Sequence, residues 1–464
     1  MGKQHILAIP YPAQGHVIPL LELSQRLVAQ SFKVTFVNTE FNHKRVVNAL
    51  SDQDNLANQI HLVSIPDGME PSEDRNNLVR LTEGILKVMP GKLEELIRKI
   101  NRSDDKKITC VIADQSMGWA LEVAKKMIIR GAAFSPPSAA MLASAFSIPE
   151  LINDGIINSY GTPVGNQMIQ LSPNMPLIGG SNLVWACMGE LTEQKFIFEF
   201  MVRNNKVMEV ADWIICNSSD KLEPGAFALF TNLLPIGPLL ARHRLGKPAG
   251  CFWPEDSTCL EWLDQQPTHS VIYVAYGSFT VFDKIQFQEL ALGLELTGRP
   301  FLWVVRPDLT HESNDAYPMG FRERVATHGR LVGWAPQQEV LSHPSVACFL
   351  SHCGWNSTME GLSNGIPFLC WPYFADQFLN ESYICDTWKI GLRFNRDESG
   401  IVRKGEIKDK VEHLLNDKTF RERALDLKEV AAESVNEGGC SHNNFNKLIE
   451  WMKTEKSCSN HRQA

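Results

Sequence analysis

Short apolar runs alternate along this chain with longer stretches whose apolar residues recur every three or four positions. The runs at 5–12, 108–114, 131–135 and 213–218 are largely apolar, and those at 32–39 and 60–66 interleave apolar residues with polar ones. That is the pattern of parallel strands buried on both faces. A second series follows at 269–278, 301–307, 329–334, 346–352, 366–371 and 391–395, separated by helical segments such as 283–297. Strand and helix alternating in this way predicts an α/β fold, with one doubly wound parallel sheet for each series. Between the two, residues 236–258 are rich in Pro, Gly and basic side chains and read as a connector. The expected organisation is a first domain at 1–240, a linker at 241–258 and a second domain at 259–440, with the ligand cleft between the domains. An amphipathic segment from Ser441 closes the chain.

Composition narrows the function classes. A chain of 464 residues with 44% hydrophobic content exceeds what one core holds, so two domains of ordinary size are expected. A net charge of −8 opposes nonspecific binding to nucleic acid or to an anionic membrane. Any anionic ligand must then be held by local dipoles and hydrogen bonds, and a second substrate is expected to be uncharged or weakly acidic. The 11 cysteines include Cys110, Cys216, Cys348 and Cys370 inside apolar strands, which reads as a reduced, cytoplasmic protein rather than a disulfide framework. Residues 1–5 lack an apolar signal core and no apolar run reaches about 20 residues, so no membrane-spanning segment is expected. A monomer is expected.

The chemistry concentrates between Trp334 and Ser382. The strand 329–334 ends at Trp334, a flat plate on which a base can stack, followed by Ala335 and Gln337. The strand 346–352 stops at Gly354, where a helix is expected to begin. Gly354, Trp355, Asn356 and Ser357 then offer backbone N–H groups and the positive end of a helix dipole to a diphosphate, with His352 beside them. Glu360 lies three or four residues on, on the same helix face, and suits ribose hydroxyls. After the next strand, Asp376 and Gln377 offer an acceptor pair and an amide to a polyhydroxylated ring. Ser278, at the end of the first strand of the second series, adds a hydroxyl donor for a β-phosphate.

This run resembles the signature box of the plant family 1 UDP-dependent glycosyltransferases, small-molecule glucosyltransferases of the GT-B fold. The resemblance implies that Trp334 stacks on uracil and that His352, Asn356 and Ser357 hold phosphate. It further implies that Glu360 binds ribose and that Asp376 with Gln377 contact the sugar. A closing Gln, rather than His, implies UDP-glucose as co-substrate, with no other cofactor and no metal. Cys348 stands where that family usually has Gly. The family also places its last helix across the first domain, here at about 441–464.

A second constellation supplies a base. His16 follows the strand 5–12 at a Gly-containing turn and opens an amphipathic helix, and an unperturbed imidazole titrates near 6.5, where a hydroxyl can be deprotonated close to neutral pH. Asp114 ends the strand 108–114 at the same expected sheet edge and suits an orienting role, although the local sequence also allows a helix N-cap there. The resemblance implies that His16 is the general base and Asp114 its partner, giving an inverting transfer of glucose to an acceptor hydroxyl with a β-glucoside product.

Acceptor recognition is read from composition alone. Gly15, Trp119, Phe134, Met141, Phe196, Phe200 and Phe374, with Phe146, Trp185 and Met188, are candidates to line an apolar cavity for a phenolic, flavonoid or terpenoid aglycone. Three alternatives stand beside this reading. One is a non-catalytic protein that binds a UDP-sugar, and another is a transferase using a different UDP-sugar or a carboxylate acceptor. The third is a thiol hydrolase built on Cys353. The crowding of His343, Cys348, His352 and Cys353 lacks zinc-type spacing. The chain has no G-x-S-x-G, G-x-G-x-x-G or G-x-x-x-x-G-K-[ST] motif.

Overall fold

A computed structural model of the chain describes residues 4–49, 60–103, 106–239, 252–309 and 316–454. Its strands are β1 (His5–Ile9), β2 (Lys33–Thr39), β3 (Ile60–Ile65), β4 (Ile108–Asp114), β5 (Arg130–Ser135), β6 (Met168–Ile169), β7 (Ile178–Gly179), β8 (Trp213–Cys216), β9 (Leu233–Pro235), β10 (Val271–Ala275), β11 (Phe301–Val304), β12 (Gly329–Val332), β13 (Val346–Ser351), β14 (Phe368–Cys370) and β15 (Gly391–Arg393). Two parallel sheets result. The first runs β3-β2-β1-β4-β5-β8-β9 and the second β12-β11-β10-β13-β14-β15. Both contain the doubly wound order in which the chain reverses direction beside its first strand. The reversals fall between β1 and β4 and between β10 and β13, whose ends pair Ile9 with Ala113 and Ala275 with Ser351.

The central strands, such as β4 (ITCVIAD), β10 (VIYVA) and β13 (VACFLS), are mostly apolar because helices cover both faces of each sheet. On one face of the first sheet, Ile6, Ala8, Ile112 and Ile215 share a core with Val17 and Leu20 of the helix Gln14–Ala29. The helix Cys440–Lys453 returns from the far end of the chain to the same core and inserts Phe445, Leu448, Ile449 and Met452. Asn444 Nδ2 donates to the Pro235 carbonyl at 3.1 Å, and the Trp213 and Trp451 rings lie 5.9 Å apart.

Several strands are shorter than the apolar pattern predicts. The run 5–12 stops pairing at Ile9, because Pro10 and Pro12 lack the N–H a ladder needs and the chain turns out of the sheet while remaining buried. The edge strand β9 is too short to show a pattern, and it ends at a proline, which an edge tolerates. The β6–β7 hairpin lies between the helices Ile148–Asn153 and Leu191–Met208, where the apolar pattern predicts no strand. Of the connector, 240–251 lies outside the described residues. Phe252 already packs in the core of the first sheet, and its N–H donates to Gln14 Oε1 at 3.2 Å. Residues 455–464, the end of the terminal helix as read from sequence, also lie outside. Among the described residues no helix is long and apolar enough to cross a membrane.

Candidate active site

The two reversals put loops from both sheets around one cleft, with about 1550 Å³ of empty space, part of it open to solvent. On the first-sheet side, the buried loop after β1 leads into the first turn of Gln14–Ala29, which carries His16. Asp114 is the last residue of neighbouring β4 and is fully buried. Parallel pairing therefore brings together two side chains 98 positions apart. His16 Nδ1 lies 2.7 Å from Asp114 Oδ2, while Asp114 Oδ1 accepts the Ser116 N–H at 2.8 Å. Asp114 is thus N-cap and imidazole partner at once. Burial disfavours a charged imidazole, but the Asp114 charge and hydrogen bond, joined by Asp376 from the second sheet, outweigh it and raise the His16 pKa above 6.5.

On the second-sheet side, β10 and β13 end next to each other and their loops interlock. Gly277 has φ +66°, and a Cβ there would sit 2.4 Å from His352 Nε2; at Gly354 it would sit 2.5 Å away. Only glycines allow the imidazole between those two backbones. Burial, then the charge of Arg306, pushes the His352 pKa down to about 4, so the ring is neutral at pH 7. Gly354 caps the helix Trp355–Ser363, whose first N–H groups open toward the cleft.

Around that helix the polar groups hold one another. Gln337 Nε2 donates to Ser357 Oγ at 2.8 Å and to Glu360 Oε2 at 2.6 Å, and Gln338 Nε2 donates to Glu360 Oε1 at 2.9 Å. Asn356 Nδ2 reaches across the cleft to the Gly15 carbonyl at 2.7 Å. Asn380 Nδ2 donates to Asp376 Oδ2 at 2.9 Å, and Gln377 Oε1 accepts the Tyr373 and Phe374 N–H groups, so its amide nitrogen is the end not engaged in these bonds. Burial raises the Asp376 pKa against the Asn380 hydrogen bond and the nearby His16.

His16, Ser278, Trp334, Ala335, Gln337, His352, Gly354, Trp355, Asn356, Ser357, Glu360, Asp376 and Gln377 all line the cleft, with Asp114 buried behind His16. Trp355 differs from the rest in function, because its indole N–H is taken by the Asn217 carbonyl at 2.8 Å, so it braces one domain on the other.

The aromatic candidates fare less well. Gly15, Phe374 and Met188 line the cleft; Trp119, Phe134, Met141, Phe196 and Phe200 do not. Strand alternation turns Phe134 to the opposite face of the first sheet, into the core under the terminal helix, where it is fully buried. Trp119 packs in the core on the other face. Met141, half-buried, accepts the Gln115 amide on its Sδ at 3.5 Å. Phe196 and Phe200 are half-buried on the helix Leu191–Met208, away from the cleft. Phe146 packs on Phe230, and Trp185 on Phe198. The apolar wall is instead Tyr11, Ile18, Leu78, Pro136, Pro137 and Phe279 with Met188 and Phe374. Segments brought together from six places in the chain leave no local pattern to read, although Phe279 was within reach as the neighbour of Ser278.

The thiol reading loses its footing: Cys353 is fully buried, its Sγ donates to the Ser351 carbonyl at 3.5 Å, and burial raises its pKa away from the thiolate.

Residues 3–153 match the family model of the glycosyltransferase N-terminal domain, and residues 244–434 match the model described as UDP-glucoronosyl and UDP-glucosyl transferase. UDP-glycosyltransferase 83A1 of Arabidopsis thaliana is 48% identical over 466 residues, covering 98% of each chain. Among solved structures, UGT2 of Phytolacca americana complexed with UDP-2fluoro-glucose and pterostilbene superimposes with a TM-score of 0.80 at 26% identity, covering 97% of this chain and 99% of that one. A UDP-glucose: anthocyanidin 3-O-glucosyltransferase in complex with UDP gives 0.82 at 28% identity, covering 98% and 100%. Two doubly wound domains, a cleft lined at both reversals, and these matches along nearly the whole chain lead to one assignment: the chain belongs to the plant UDP-glycosyltransferases of the GT-B fold, and it is a transferase.

Proposed function

We propose that this transferase moves glucose from UDP-glucose to a hydroxyl of an apolar small molecule, with inversion at the anomeric carbon. The observation that carries the reading is His16, tied to Asp114 at 2.7 Å and facing the same cleft as Trp334, Glu360, Asp376 and Gln377. With Nδ1–H held by Asp114, the Nε2 lone pair of neutral His16 is the atom that takes the acceptor proton. The oxygen attacks the anomeric carbon from the face opposite UDP. As UDP departs, charge grows on the β-phosphate, where Ser278 and the N–H groups at Trp355–Ser357 donate, and no metal is invoked. Trp334 stacks on uracil, Glu360 takes the ribose, and Asp376 with Gln377 hold the glucose hydroxyls. An apolar wall beside a cleft that no lysine or arginine lines among the described residues favours a neutral hydroxyl acceptor over a carboxylate. Relatives named as glucosyltransferases, such as 7-deoxyloganetin glucosyltransferase of Catharanthus roseus at 31% identity, support glucose as the sugar.

The test is incubation with UDP-glucose or UDP-galactose and a panel of phenols, flavonoids, terpenoid alcohols and carboxylic acids, read as mass gain of one hexose. His16→Ala is expected to reduce product formation by about 10²- to 10⁴-fold with UDP affinity unchanged. Product at the wild-type rate from that variant removes the general base, and a cleft that binds UDP but never transfers sugar leaves a binding protein.

A further inference from the structure

A diphosphate brings at least two negative charges into a cleft lined by Glu255, Glu360 and Asp376 and, among the described residues, by no lysine or arginine. One guanidinium lies immediately behind that lining. Arg306 follows β11, is 3% exposed and is not itself a cleft residue. Its Nη1 donates to the Gly277 carbonyl, its Nη2 to the Thr280 carbonyl at 2.7 Å, and its Nε to Asp308 Oδ1 at 2.9 Å. Both carbonyls belong to the turn that presents Ser278, Phe279 and Thr280 to the cleft.

In a trans peptide the C=O and N–H point in opposite directions. Holding the Gly277 carbonyl from behind therefore aims the Ser278 N–H away from the guanidinium, on the side from which Ser278 lines the cleft. The Thr280 hydroxyl, carried on the same turn, is buried and has no hydrogen-bond partner among the described residues, so it marks the turn as built for a ligand. The guanidinium charge also reaches His352, the half-buried imidazole held between Gly277 and Gly354. A fork that satisfies two carbonyls and one carboxylate at fixed angles is a task for arginine; a lysine ammonium cannot reproduce its geometry.

We infer that Arg306 is the positioning residue of the β-phosphate subsite: it never touches the donor, but from behind the wall it orients the Gly277–Thr280 turn and sets a fixed positive charge behind a lining whose described residues include no lysine or arginine. The inference rests on the UDP-sugar reading of the cleft and adds to it a residue outside the signature box. It separates the two phosphates of the donor, since the turn serves the β-phosphate while Trp334 and Glu360 serve the nucleoside.

The experiment compares UDP and UMP binding by calorimetry in the full chain and in Arg306→Met and Arg306→Lys. Arg306→Met is expected to weaken UDP about 10- to 100-fold, the cost of one or two charge-assisted hydrogen bonds made through the turn, and to leave UMP within about twofold. Arg306→Lys retains the buried charge and keeps the fold accessible if the methionine variant does not fold. It is expected to weaken UDP about 3- to 10-fold, again sparing UMP, and to lower kcat more than it raises the KM for UDP-glucose, because the departing β-phosphate carries its largest charge in the transition state. UDP and UMP weakening in parallel, or no loss of UDP in Arg306→Lys, overturns the role of Arg306. A wild-type chain that binds UDP no more tightly than UMP removes the donor reading itself, and this inference with it.

Discussion

Asp114→Asn tests the catalytic reading with the smallest change of shape. Asp114 uses both carboxylate oxygens, Oδ2 toward His16 Nδ1 at 2.7 Å and Oδ1 toward the Ser116 N–H at 2.8 Å, and is fully buried. An asparagine has one acceptor oxygen for these two N–H groups. If its oxygen keeps Ser116, its NH₂ faces His16 Nδ1, which must then accept, and the proton moves to Nε2, the atom that has to be a lone pair for catalysis. If the oxygen keeps His16, the helix start loses its cap and the imidazolium formed in the transition state still loses its counter-charge. A charge-assisted hydrogen bond of this kind contributes about 1.5–3 kcal/mol, which converts to a fall in kcat/KM of about 10- to 150-fold. The pH profile carries the sign. Asp114 raises the His16 pKa, and the base acts when neutral, so the rate of the wild type rises with pH through that raised value. In Asp114→Asn the acid limb should move to lower pH even as the plateau drops. The assay is initial rate against pH at subsaturating acceptor, with UDP affinity measured alongside and expected to be unchanged. A plateau within threefold of wild type, or an acid limb that stays in place, refutes the pairing of Asp114 with a catalytic His16.

Trp334→Ala removes the plate assigned to uracil and should weaken UDP and UMP alike by about 10- to 100-fold, the cost of one base–aromatic stack; a loss confined to UDP would place the ring elsewhere. Leu448→Ala opens a cavity where the terminal helix closes the core of the first sheet, its side chain being fully buried. It should destabilise the chain by about 2–5 kcal/mol in urea unfolding, and a change below 0.5 kcal/mol would show that the helix does not stabilise the first domain.

The second-sheet side of the cleft was legible along the chain because its parts are sequential: the ends of β13 and β14 and the helix starts that follow β12, β13 and β14 lie between Trp334 and Gln377, where apolar runs give way to short polar or glycine-containing turns. His16 and Asp114 were legible for a related reason. Each stands at the carboxyl end of an apolar run, and parallel pairing puts neighbouring ends together without further information.

Other features depended on which way a side chain turns once the layers have packed. Phe134 faces away from the cleft because β5 alternates, and the one-residue difference between Phe134 and Ala133 decides which core each enters. Trp355, inside the signature run, became a strut to Asn217, and Asn356 reaches Gly15 across more than 300 positions of chain, because the two domains meet at that point. Arg306 carried no motif, and only the burial of its guanidinium behind the Gly277–Thr280 turn revealed its partners. Periodicity and local caps report interactions within a few residues, so this chain's sequence by itself determined its two sheets and the chemistry at their edges. The apolar wall of the cleft and the contacts between domains are made by residues distant in sequence, and their side-chain directions were decided only by the packing of the whole.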